Sequence, residues 1–166
     1  MPSLIERFFL IGVITCLSAC ATTTYEDYLK ANEVKPDIKF SYDHKSPDYK
    51  VDWNTLQKGS DTVIDGRITN VRDMSASDIN LYVVVLDPSG SELFNGNDLS
   101  YHSMSSRNQS FAFTVKLKDA IIAKGDILRF IIDYHLQDGR WGGNIMQSRF
   151  AVDATTGSEI KGNIEP

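Results

Sequence analysis

Asp133 and His135 stand two residues apart in I-I-D-Y-H-L, and Trp141 follows beyond a glycine-containing turn. In an extended strand, residues two apart share a face, so the carboxylate and the imidazole point the same way. Such a pair can orient a proton, ligate a metal or hydrogen-bond a ligand. An indole beside it adds apolar area or a stacking plane. The other histidines are His44 and His102. A zinc site needs three or four converging ligands, and the spacing of Asp133, His135 and His102 does not form such a set, so no metal is expected. Serines are plentiful, but none lies in a Gly-x-Ser-x-Gly turn, and no glycine-rich phosphate loop is visible. The expectation is recognition rather than catalysis: not an enzyme, and no cofactor.

The turn between Leu136 and Trp141 decides which residues face one another. A two-residue turn at Asp138-Gly139 would place Ile145, Gln147 and Arg149 on the core face. A three-residue loop, Gln137-Asp138-Gly139, places Met146, Ser148, Phe150 and Val152 inward instead, with glycine in the left-handed position. Burial favours the second. It sets Trp141 opposite His135 and Asp133 opposite Gly143, making Trp141, His135 and Asp133 a candidate recognition patch on the outer face. The same Trp-His pair would also serve as a cross-strand contact that steadies the hairpin tip, worth about 0.2–1 kcal/mol.

The elements that must hold this patch are strands. From Asp37 onward IKFSY, YKVDW, TVIDGRITNV, INLYVVVLD, SELF, QSFAFTVKLK, ILRFIIDYHL and NIMQSRFAVD are separated by Pro, Gly, Asp, Asn and Ser clusters. Phe111, Phe113, Val115 and Leu117 fall on one face, and Leu128, Phe130, Ile132, Tyr134 and Leu136 on another. Seven or eight short strands with such turns predict an all-β fold, an antiparallel immunoglobulin-like β-sandwich. Lys118–Ala123 has room for a helical turn. Tyr82, Val84 and Leu86 make the second face of their strand apolar too, which calls either for cover by another segment or for a partner.

The start of the chain reads differently. Phe8 to Leu17 is an uncharged run, too short for the roughly 20 residues that span a bilayer and of the length of a signal-peptide core. Leu17, Ser18, Ala19 and Cys20 follow it directly. They resemble the lipobox of bacterial lipoproteins, in which the cysteine receives a diacylglycerol, the chain is cut just before it, and acylation with chains such as palmitate follows. Two or more acyl chains hold a protein on a bilayer far better than one. The resemblance implies a membrane anchor in the cell envelope, facing the periplasm, and Ala21 favours the outer membrane over the inner. Cys16 would leave with the signal and Cys20 would carry lipid, so no thiol remains for a disulfide or a nucleophile.

Four regions result: a lipoprotein signal peptide at 1–19, the lipidated cysteine and tether at 20–36, the sandwich at 37–155 and a C-terminal tail at 156–166. Thr24 and Asp27 have the spacing of a helix cap, which gives Tyr25–Asn32 room for a short helix. Extended, the tether reaches at most about 50 Å. The net charge is −5, and the loss of Glu6 and Arg7 with the signal leaves it unchanged. An acidic domain without a Lys/Arg block is a poor binder of nucleic acid and is not drawn to anionic membrane surfaces.

Residues 64–70, IDGRITN, and 79–90, INLYVVVLDPSG, resemble the immunoglobulin-like sandwich domains sometimes called FxLYD-type, which recur in prokaryotic envelope proteins. Ile64, Gly66, Ile68 and Asn70 match the first strand pattern, and Asp87 and Gly90 the second. Val83 and Leu86 occupy the positions of the motif's aromatics. The resemblance implies a binding or scaffolding module. The expected function is a non-enzymatic protein-interaction or assembly module, with glycan or small-molecule binding centred on Trp141 as the alternative. Labelling with radioactive palmitate should mark the parent chain and not Cys20→Ser, which should also leave the membrane fraction.

Overall fold

The computed structural model describes residues 38–104, 106–137 and 144–161, with side chains for all but 100–104 and 137. These residues belong to one compact unit, Val34–Pro166. Cys20, Leu17, Ser18, Ala19, the tether with its candidate helix, and Trp141 lie outside the described residues.

Among the described residues eight strands follow in order: β1 Tyr42–Lys45, β2 Tyr49–Lys58, β3 Asp61–Asn70, β4 Ser75–Leu86, β5 Glu92–Met104, β6 Ser110–Leu117, β7 Ile127–Gln137 and β8 Asn144–Asp153. They form two four-stranded sheets, β1-β2-β3-β6 and β5-β4-β7-β8, with every pairing antiparallel. The chain changes sheet between β3 and β4, between β5 and β6, and between β6 and β7. This is an immunoglobulin-like sandwich with an added strand, β1, at one edge. No helix occurs among the described residues, and Lys118–Ala123 is a turn followed by irregular chain.

Alternation builds the core. Phe111, Phe113, Val115 and Leu117 from β6 face Leu128, Phe130, Ile132 and Tyr134 from β7, and all are buried. Trp53 of β2 sits between the sheets, 4.9 Å from the ring of Phe130 and 6.1 Å from that of Phe150. Gly66 lies opposite Trp53 in the β2–β3 register and opposite Phe113 in the β3–β6 register. A Cβ added there would stand 2.3 Å from Phe113 Cζ and 2.5 Å from the Asp52 carbonyl oxygen. A side chain would therefore evict the Phe113 ring.

Asn70 ends β3 and is buried, and its amide joins two loops. Its Nδ2 donates to the carbonyl of Met74 at 2.9 Å, and its Oδ1 accepts from Arg72 N–H at 2.9 Å. Its backbone meets Gln109 and Asn108 at 3.0 and 2.8 Å. Pro88-Ser89-Gly90 forms a three-residue hairpin loop, with Gly90 at φ 89°. Asp87 Oδ1 caps it, accepting from Ser89 Oγ and from the N–H groups of Ser89 and Ser91. Those bonds hold the Asp87 carboxyl below its ordinary pKa, the Ser89 hydroxyl contributing most.

Two sequence expectations change. The first strand is Tyr42–Lys45 rather than IKFSY. Residues 39–41 instead lie on the outer face of the first sheet as a strap. Asn54 Oδ1 accepts from Ser41 N–H at 2.8 Å, Asn54 Nδ2 donates to the Lys39 carbonyl at 3.4 Å, and Phe40 covers the Arg67 guanidinium at 5.2 Å. Arg67 and Lys50 in turn pair with Asp52, which is only 4% exposed. The second change is the β7–β8 register, which pairs Leu136 with Asn144, His135 with Ile145 and Asp133 with Gln147. Trp141 is therefore not the residue opposite His135, nor Gly143 the one opposite Asp133. The shift is even, so Met146, Ser148, Phe150 and Val152 keep the inward face. It also brings Phe150 opposite Phe130, where the rings stack at 4.7 Å.

Gly66→Ala should lower stability by about 1–3 kcal/mol, the usual cost of overpacking. A lower urea midpoint at unchanged m-value is the measurement, and adding Phe113→Leu should restore part of it.

Candidate functional site

The outer face of the β5-β4-β7-β8 sheet carries Asp133 and His135 on β7. Asp133 lies between Asn80 of β4 and Gln147 of β8, and His135 between Ser77 and Ile145. A local irregularity brings β4 into this arrangement. Its register with β7 shifts between Ser77 and Asn80, and its register with β5 shifts between Ala76 and Ile79. Within that bulge Asp78 adopts φ 51°, a left-handed backbone that a residue with a Cβ takes at a cost. The bulge turns the Asp78 carboxylate toward β7, where Oδ2 lies 3.1 Å from His135 Nδ1.

The result is a groove of about 570 Å³ lined by Asp78, Asn80, Asp133, Tyr134, His135, Ile145, Met146 and Gln147. Its polar groups hold one another. Gln147 Nε2 donates to Asp133 Oδ1 at 2.5 Å, Ser77 Oγ to Asp78 Oδ2 at 3.2 Å, and Asn80 Nδ2 to the Asp78 carbonyl at 3.1 Å. Ile145 is 75% exposed and supplies an apolar wall. When His135 is neutral and Nδ1 donates to Asp78, Nε2 is left as an acceptor.

Sequence reasoning found Asp133 and His135, and the structure brings both into the groove. It missed Asp78, Asn80 and Gln147. The signal for the first was present: S-A-S-D ahead of an apolar run puts a poor strand former inside a strand, which marks a bulge. His102 lies on β5 opposite Ile79, with β4 between it and β7. Among the described residues no three His, Cys, Asp or Glu side chains converge as a metal site.

Next to the groove runs an apolar stripe. Tyr82 lies directly opposite Ile131, and Val84 opposite Arg129. Tyr82, Val84 and Ile131 are half-buried, while Leu86, expected on this face, is buried beyond the register shift that follows Val85. At the same end of the sandwich, Tyr134 donates to Asp48 Oδ2 at 2.5 Å and Arg72 pairs with the same carboxylate. Burial pushes the Tyr134 and Tyr49 hydroxyls well above their ordinary pKa.

Fold and groove together define an immunoglobulin-like β-sandwich with a groove of mixed polar and apolar lining on one sheet face. No family model matches the chain, and no curated protein matches it. Similar solved structures include the GAE domain of GGA2p from Saccharomyces cerevisiae, at 12% identity and TM-score 0.45, covering 66% of this chain and 91% of that one. A protein from Archaeoglobus fulgidus is similar at 13% identity and TM-score 0.38, covering 66% of this chain and 96% of that one. A beta-glucuronidase from Bacteroides uniformis matches over 62% of this chain but 13% of its own, at 13% identity and TM-score 0.37.

Asp78→Gly should keep stability within about 0.5 kcal/mol of the parent, because glycine takes the left-handed backbone freely. Asp78→Val should lower it by roughly 1–2 kcal/mol. Urea titration of the three proteins checks the order.

Proposed function

We propose that this chain is a lipid-anchored lipoprotein of the bacterial cell envelope, facing the periplasm, whose sandwich binds a protein partner without catalysing a reaction. The anchor rests on the Leu17-Ser18-Ala19-Cys20 lipobox pattern behind a short apolar core, and Ala21 supports the outer membrane as its address. One observation carries the binding reading. The outer face of the paired strands β4 and β7 carries an apolar stripe, Tyr82, Val84 and Ile131, and these residues stay partly open to solvent among the described residues. An apolar stripe rimmed by Arg129, Arg149, Asp133 and Asn80 has the layout of a small interface, with an apolar centre and a polar rim.

Photo-crosslinking in living cells tests this. With p-benzoylphenylalanine at Ile131 of the full-length chain, one discrete protein adduct is expected. At Thr114, which faces outward from the opposite sheet, none is expected. Adducts of equal yield from both positions, or none from Ile131, would overturn the reading.

A further inference from the structure

We infer that the groove beside the stripe is a site for a neutral, hydroxyl-rich ligand such as a sugar unit. This goes beyond the protein-partner reading and does not rest on it: Asp133 and Asn80 border both surfaces, but the stripe's apolar residues Tyr82, Val84 and Ile131 do not line the groove.

Size comes first. The groove's volume of about 570 Å³ falls within the roughly 300–1,000 Å³ typical of small-ligand sites. The lining then selects the chemistry. Most of it is apolar, with Tyr134, Ile145 and Met146 among its residues, and Asp78, Asp133, Asn80 and Gln147 are set into it. Carboxylates accept, side-chain amides both donate and accept, and a sugar hydroxyl does both, so the polar groups suit its hydroxyls and the apolar surface suits the C–H face of its ring. No lysine or arginine lines the groove among the described residues, which disfavours a phosphate or carboxylate ligand.

The groups are also set in place before any ligand arrives. Gln147 fixes Asp133 at 2.5 Å, and Asp78 fixes His135 at 3.1 Å. Each carboxylate accepts these bonds on one oxygen and has lone pairs left for a hydroxyl. Preorganisation of this kind reduces the ordering cost of binding. The bulge is part of the same construction: it breaks the β4 register on both sides and leaves the Asp78 carboxylate facing β7, where it meets His135.

The test is saturation-transfer NMR on the full-length chain in a sugar-free detergent. The probes are chitotriose, cellotriose and maltotriose, with arginine methyl ester and inorganic phosphate as charged controls. At least one trisaccharide should bind saturably with a Kd of about 0.1–1 mM. Gln147→Ala and Asn80→Ala should each weaken it about tenfold, the loss of one or two hydrogen bonds. Thr114→Ala should leave it unchanged, and thermal melts should show all variants folded. No saturable binding of any trisaccharide below about 10 mM would overturn the inference. So would binding that survives both groove substitutions, or tighter binding of either charged control. None of these results bears on the crosslink at Ile131, so the two proposals fail separately.

Discussion

The Phe113 ring of β6 enters the space between the sheets because Gly66, its cross-strand neighbour on β3, has no side chain. On the other flank of Gly66, Trp53 of β2 reaches Phe130 and Phe150 on the opposite sheet. Replacing a large buried aromatic by alanine typically costs about 3–5 kcal/mol. Here Phe113 and Gly66 are one device, since the ring occupies the place a Cβ would take. Phe130 and Phe150 stack on each other as well, so the same cluster sets how β8 lies against β7.

That alignment decides the outer face. With Phe150 opposite Phe130, every outward residue of β8 has a fixed neighbour, and Gln147 arrives beside Asp133. On the other flank the β4 bulge delivers Asp78 and Asn80. The groove is thus assembled from a core constraint on one side and a local break in pairing on the other. Core packing and the outer groove are coupled through three adjacent strands, without any loop in the chain of cause.

Much of this architecture was legible in the sequence. Strands with strict alternation, β6 and β7 above all, could be placed within a residue or two. The Pro88-Ser89-Gly90 loop could be read because turn chemistry is local. The β7–β8 connection could not, although Asp138-Gly139 looks like a turn. Parity constrains only whether a register shift is odd or even, and a shift of four satisfies burial as well as the expected one. The deciding contact, Phe130 on Phe150, lies far from the turn. Most of β5 was missed beyond S-E-L-F because N-G-N-D-L-S-Y-H-S-M shows no alternation, as befits an edge strand paired only with β4. Asp133 and His135 could be read as a pair because they share one strand. Asp78, Asn80 and Gln147 join them through pairing between strands, which no single stretch of sequence displays. The lipobox pattern is a property of sequence alone.

The strap at residues 39–41 gives the domain a mechanical hierarchy. A pull on the chain that precedes it reaches the two Asn54 hydrogen bonds and the Phe40-Arg67 contact before any strand pairing. Next in line is β1, a four-residue edge strand, and only behind it the long β2–β3 pair that carries Trp53 and Gly66. Weak links in series ahead of a strong one act as a fuse. Load would peel the strap first, lengthening the chain ahead of β1, before Tyr42 and His44 of that strand are drawn off Trp53 and Phe150.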